Sequence, residues 1–92
     1  MEYKERVSEI QLLAKVYSWQ QVQHDTLTYM LGFCRKGVRM NVYYSKMTVS
    51  TALDHPTKGK TQLFRRNVSM RLLEMIMINP RVHTDKGYRT KN

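Results

Sequence analysis

Two histidines and a lysine are the side chains best suited to catalysis in this 92-residue chain. Two imidazoles can act as general acid and base on an RNA backbone, while a lysine stabilises the phosphorane charge. His55, His83 and Lys60 take these roles only if the C-terminal segment folds back over residues 54–60. Because no sequence spacing requires that fold, we predict no enzyme, and ribonuclease activity stays a minor alternative.

The other candidate sites lack the spacing that their chemistry needs. Gly59-Lys60-Thr61 resembles the end of a phosphate-binding loop, but Asp54 stands where that motif requires a glycine. The soft metal ligands are Cys34 and three histidines. No two of them have the short spacing of structural zinc sites, so we predict no metal and no cofactor.

Basic residues are concentrated after residue 34. Residues 1–34 contain three Lys or Arg and four acidic residues, whereas residues 35–92 contain thirteen Lys or Arg and three acidic residues. The formal net charge is +9. A one-sided excess of this kind creates a positive field that attracts polyanions. Non-catalytic binding of nucleic acid, RNA or DNA, is therefore the leading hypothesis.

Two groups of residues form the predicted nucleic-acid site. The residues expected to hold phosphates surround a polar loop and the strand after it: Lys58, Lys60, Arg65 and Arg66. The residues expected to contact bases or sugars share one face of an earlier strand: Arg39, Asn41 and Tyr43. Arginine and asparagine can read base edges, and an exposed tyrosine can stack on an unpaired base, which slightly favours RNA.

Helical periodicity covers the first third of the chain. Five positions spaced by four and three residues predict an amphipathic helix over residues 2–16. They are Tyr3, Val7, Ile10, Ala14 and Tyr17. A second helix is predicted from Ser18, which begins a capping-box pattern, to Lys36, with Gly37 as its left-handed cap. The alternative is one continuous helix bent near residues 17 and 18.

The apolar period changes to two after Gly37. Residues 38–44 alternate, residues 47–53 resume the alternation, and Ser45-Lys46 supplies the turn, so we predict a β-hairpin. One face of its first strand is apolar. The other face carries the residues expected to contact bases.

Three elements follow the predicted hairpin. Residues 54–60 read as a polar loop, and residues 61–66 as a third strand in which either Leu63 or Phe64 faces the core. A last helix, apolar on most sides, is predicted to end at Ile78.

We therefore predict a single α+β domain over residues 1–79, followed by a basic, flexible tail over residues 80–92. The element order is α-(α)-β-β-β-α, with the helices covering one face of a three-stranded antiparallel sheet. The first helix supports an alternative function, which is docking of a protein partner or self-association through residues 1–17.

The location of the protein is predicted from what the sequence lacks. A single cysteine allows no disulfide within the chain, which favours a reducing compartment. The charged N-terminus does not match a secretory signal, and no apolar run reaches membrane-spanning length. We therefore expect a cytoplasmic or nuclear protein with no membrane partner.

Overall fold

The computed structural model describes residues 3–55 and 59–82, and it describes only the backbone of residues 53–55 and 59–61. The α+β class predicted from the sequence is confirmed, but the sheet has five strands where three were predicted. In the described part of the chain, neither helix is long and apolar enough to cross a membrane.

The chain runs through one helix, five strands and a second helix. The elements are α1 Lys4–Val16, β1 Gln20–Asp25, β2 Met30–Arg35, β3 Val38–Tyr43, β4 Thr48–His55, β5 Gly59–Arg65 and α2 Met70–Ile78. The strand order is β1-β2-β3-β4-β5, and each neighbouring pair is antiparallel. The sheet is therefore a simple meander, in which each strand pairs with the one before it.

The predicted second helix is wrong, because α1 ends where that helix was expected to begin. Ser18 has a φ of 67°, in the left-handed region that commonly ends a helix. The amide of Trp19 donates back to the carbonyl of Ala14 at 2.8 Å, which completes the helix end. Ser18 is thus the residue at which the chain leaves α1 for the sheet.

The residues predicted to cap that helix form a turn between β2 and β3. Arg35 pairs with Val38, so only Lys36 and Gly37 lie between the strands. Both have positive φ values, 48° and 80°. Two residues with positive φ form the type I′ turn, whose twist matches that of the antiparallel strands it joins.

The other predicted elements are confirmed with small shifts in their ends. Helix α1, the β3–β4 hairpin, the third predicted strand and the last helix all lie where the pattern placed them. The loop predicted over residues 54–60 is shorter than expected. Asp54 pairs with Lys60 and His55 with Gly59, so β4 and β5 extend into it.

Both helices pack on the same face of the sheet. The buried core is formed by Val7, Ile10 and Ala14 of α1, by Leu73, Ile76 and Met77 of α2, and by Leu31, Phe33, Met40, Val42 and Val49 of the strands. Trp19 joins this core, and its Nε1 donates to the carbonyl of Met77 at 3.0 Å. The two-residue period of the strands therefore buries one face and leaves the other free of helices.

Arg35 connects the ends of both helices to the sheet. Its Nη1 donates to the carbonyl of Tyr17 at 2.9 Å, and its Nη2 donates to the carbonyl of Ile78 at 3.4 Å. The guanidinium carbon lies 4.5 Å from the centre of the Trp19 ring. Because the C-terminal end of a helix carries partial negative charge, this cation stabilises α1 and α2 together.

Candidate nucleic-acid interface

The face of the sheet that points away from the helices, here called the outer face, is built from rows of paired residues. Directly paired residues of antiparallel strands project to the same side. The register gives three rows: Gln20, Cys34, Arg39, Ala52 and Gln62; Gln23, Gly32, Asn41, Ser50 and Phe64; and Asp25, Met30, Tyr43 and Thr48. Arg39, Asn41 and Tyr43 therefore lie on one face, which no helix within residues 3–55 and 59–82 covers.

Arg39 is held against the outer face by two neighbouring amides. Its Nε donates to Oδ1 of Asn41 at 3.0 Å, and its Nη2 donates to Oε1 of Gln23 at 2.7 Å. The guanidinium lies over Gly32, where an added Cβ would come within 2.5 Å of Nη2. The glycine therefore makes room for a planar cation that lies on the sheet surface and can stack on a base or contact a phosphate.

A cleft at the β5 side of the outer face combines an aromatic ring with two cations. Its volume is about 480 Å³, and it is lined by Lys46, Thr48, Phe64, Arg66 and Asn67. Phe64 is 60% exposed, which resolves the ambiguous phase of this strand, because Leu63 pairs with Thr51 on the core side. A ring beside two cations suits a nucleotide, whose base can stack while its phosphate is neutralised.

The two aromatic residues of the outer face are spaced for adjacent contacts on one strand of nucleic acid. Phe64 lies two strands and two residues away from Tyr43, which corresponds to about 12 Å by ordinary strand geometry. The side chains of Thr48 and Ser50 lie on the strand between them. Tyr43 is half-buried.

Counted together with the cleft beside Phe64, the described outer face carries three cations, Arg39, Lys46 and Arg66, against one acidic side chain. Asp25 is the one acidic side chain in its three rows, and its Oδ1 accepts hydrogen bonds from the amides of Leu27 and Thr28 at 2.9 and 3.3 Å. These backbone hydrogen bonds lower the pKa of Asp25, so its carboxylate is committed to the β1–β2 turn. Three other acidic residues, Glu5, Glu9 and Glu74, belong to the helices.

Arg65, expected to hold a phosphate, is buried on the core side and is 3% exposed. Its Nη1 donates to Oγ1 of Thr51 at 2.8 Å, and its Nη2 donates to the carbonyls of Pro80, at 2.8 Å, and Val82. The Thr51 hydroxyl donates to the Pro80 carbonyl at 2.9 Å. We call this group the Arg65 cluster. It anchors residues 80–82 to the sheet, so Arg65 is not part of the candidate interface.

Burial lowers the pKa of Arg65 to about 10. The guanidinium is therefore still protonated at neutral pH, because that value lies well above 7. Its charge is compensated by carbonyl and hydroxyl oxygens, without an acidic partner in the described part of the chain.

The structure describes the remaining predicted site residues to different extents. Arg66 is exposed and lines the cleft beside Phe64. Lys58 and His83 lie outside the described residues. Lys60 and His55 lie on paired strands, but only their backbone is described. The phosphate contacts of Lys58 and Lys60 therefore stay predictions.

The candidate metal ligands have no partners for a metal site within the described residues. No group of three His, Cys, Asp or Glu side chains there could hold a metal ion. His24 is used in a structural contact, in which its Nε2 lies 2.9 Å from the hydroxyl of the buried Tyr44. Burial raises the pKa of that tyrosine, which favours its neutral form as a hydrogen-bonding partner.

Sequence reasoning missed four residues of the interface, which are Gln23, Gly32, Lys46 and Phe64. A glycine inside a strand can mark a close approach of another group, but Gly32 lay in a predicted helix and this signal was lost. Phe64 was recognised only as one of two possible core residues. Lys46 was assigned to a turn. Its position beside β5 depends on how the strands pair, which the local sequence does not show.

Comparisons with known proteins do not point to a function for this chain. No family model, curated protein or solved structure matches it significantly. The function is therefore inferred from the residues of the chain itself.

Proposed function

We propose that this protein binds single-stranded nucleic acid without cleaving it, with RNA favoured over DNA, on the outer face of its sheet. The observation that carries the proposal is a sheet face that neither described helix covers, bearing an exposed aromatic ring, a half-exposed tyrosine and an arginine held over a glycine by two amides. A face of this kind offers stacking surfaces and cations together. For this face to dock a protein or a membrane, it would need an apolar or amphipathic patch instead.

Each group on the face has a separate role in the proposal. Phe64 and Tyr43 stack on two unpaired bases of the same strand. Arg66 and Lys46 neutralise the phosphates beside the first of these bases. Arg39 and Asn41, which precede Tyr43 along the same face of β3, contact a base edge or a sugar next to the base that stacks on Tyr43.

Single strands fit this face better than a duplex does. Stacking on an aromatic side chain requires bases that are not already stacked on their neighbours in a helix. Duplex RNA or DNA of the same length should therefore bind more weakly than the single strand.

The proposal is tested by a titration of labelled single-stranded RNA and DNA of mixed sequence, read by fluorescence anisotropy at several salt concentrations. Affinity should fall with a slope of about 0.7 log units per log unit of salt for each phosphate contact. Phe64→Ala should weaken binding about 5- to 150-fold, which corresponds to one lost stacking contact. Arg66→Met should lower the salt slope by about one contact. The RNA should stay intact throughout.

Leu27→Ala is the matched control, because Leu27 is 90% exposed and lies in the β1–β2 turn, outside the rows of the face. It should leave the affinity unchanged. Absence of binding at low salt would contradict the proposal. So would binding that the Phe64 and Arg66 variants do not weaken.

A further inference from the structure

An apolar groove runs between the two helices on the side of the protein opposite the outer face. It has a volume of about 390 Å³, and its apolar lining is Leu12, Leu13, Val16 and Met70. Leu12 and Val16 are 66% and 65% exposed. On α2, Met75 and Ile78 are also exposed, although the sequence predicted a well-buried helix.

Exposed residues at helical spacing form a stripe along each helix. On α1 the stripe is Glu5, Glu9, Leu12 and Val16, and on α2 it is Arg71, Met75 and Ile78, with the four- and three-residue steps of a second helical face. Each stripe is charged at its N-terminal end and apolar at its C-terminal end. The charge is negative on α1 and positive on α2.

The two stripes are complementary in charge, so a second copy of the same chain would present to each stripe the charge that it lacks. Glu9 and Arg71 stand on opposite walls of the same groove. A two-fold axis along the groove would place α1 of one copy on α2 of the other. Glu9 of each copy would then face Arg71 of the other, which gives two symmetry-related pairs. The apolar ends of the stripes would pack together, as in an isologous interface.

The other charges of the helical layer agree with this arrangement. The Glu74 carboxylate accepts a hydrogen bond of 2.6 Å from the Tyr17 hydroxyl, so it is engaged within its own copy. That hydrogen bond is the main cause of the raised pKa of Tyr17. Glu5, Glu9 and Glu74 offset the basic residues of the helices, so two chains of net charge +9 repel each other least through this layer.

We infer that this protein forms a two-fold homodimer through the groove between α1 and α2. The inference is independent of the proposed nucleic-acid binding, because the groove and the outer face lie on opposite sides of the sheet. In the dimer, each copy presents its outer face to the solvent, and the two faces point away from each other.

The test is sedimentation equilibrium of the full chain from low to high micromolar concentration. We expect the mass to rise from 11.0 kDa toward twice that value. Leu12→Asp should raise the dimer dissociation constant tenfold or more, because it places a charge in the apolar part of the interface. Leu27→Asp, the same substitution at a more exposed site on a strand turn, should leave it unchanged.

Charge reversal identifies the partner as a second copy. Glu9→Arg alone and Arg71→Glu alone should each weaken the dimer, and the double variant should restore it, because the pairs are then reversed on both sides. Both residues are exposed, so the variants should fold as the parent does, which circular dichroism checks.

A monomer at every concentration would overturn the inference. A dimer that Leu12→Asp leaves intact, and that Val22→Asp on the exposed edge strand β1 abolishes, would also overturn it.

Discussion

The residue that best shows how this surface is built is Gly32. It is one of two small residues in the central row of the outer face, and its missing side chain is replaced by the guanidinium of Arg39. Two amides hold that guanidinium from either side, so its conformational entropy is already reduced before any ligand arrives. Its orientation should therefore contribute to binding as well as its charge.

Replacing Gly32 with alanine separates orientation from charge. The new Cβ would displace the flexible end of Arg39 without removing a cation, so the fold should be retained. We expect affinity for single-stranded RNA to fall about 2- to 12-fold, which corresponds to ordering one side chain on binding. The slope of affinity against salt should not change, and anisotropy titration measures both quantities.

Arg39→Lys is the companion variant, because it keeps the charge but loses the planar group. It should weaken binding by a similar factor with the same salt slope. An affinity that neither variant alters would show that Arg39 acts only as a point charge. A reduced slope of affinity against salt in Gly32→Ala would show that Gly32 positions Arg39 for a phosphate contact.

At the scale of elements, the sequence predicted the second half of the chain much better than residues 18–37. The β3–β4 hairpin has strict two-residue alternation, and each apolar position of β3 that was expected to face the core is buried or partly buried. Between Trp19 and Phe33, apolar residues happen to recur at helical spacing. Val22 and Leu27 of that set are 50% and 90% exposed, so the spacing did not reflect burial.

Two local sequence signals in this region are each compatible with two structures. Ser18 favours the start of a helix, yet here it has positive φ and ends one. Lys36-Gly37 is typical both of a helix end and of a tight hairpin turn. Only the pairing of β2 with β3, which depends on residues far along the chain, distinguishes the two. The change in charge after residue 34 was expected to mark the end of a helix, but it lies near the end of β2.

The contrast between Arg65 and Arg66 gives a prediction at this scale. Arg65 is buried on the core side of β5, whereas Arg66, just beyond the strand, is exposed. Arg65→Met should lower the free energy of unfolding by about 2–4 kcal/mol, because it removes the donors to the Val82 carbonyl and to the Thr51 oxygen. Arg66→Met should change it by less than about 0.5 kcal/mol. Urea denaturation measures both.

The pH dependence of the Arg65 effect follows from its pKa. Burial lowers that pKa to about 10, so both the folded and the unfolded chain are protonated at pH 6–8. The destabilisation by Arg65→Met should therefore be constant over that range. Equal losses of stability in the Arg65 and Arg66 variants would contradict the assignment of one to the core and the other to the surface.

At the scale of the whole molecule, the sheet separates two surfaces of different character. The outer face carries aromatic, amide and cationic side chains, while the helical layer carries an apolar groove with opposite charges on its walls. The inferred dimer would place two outer faces on one particle. A strand long enough to reach both would then bind more tightly than a short one, because the second contact is intramolecular.

NMR tests most directly whether nucleic acid binds to the outer face of the sheet. The ¹⁵N-labelled full chain would be titrated with a short single-stranded RNA at low salt, following the backbone amide signals. We predict shifts concentrated at Arg39, Asn41, Tyr43, Phe64 and Arg66, with those of α1 and α2 unchanged. Shifts confined to the helices, or no shifts at saturating RNA, would contradict binding at the outer face.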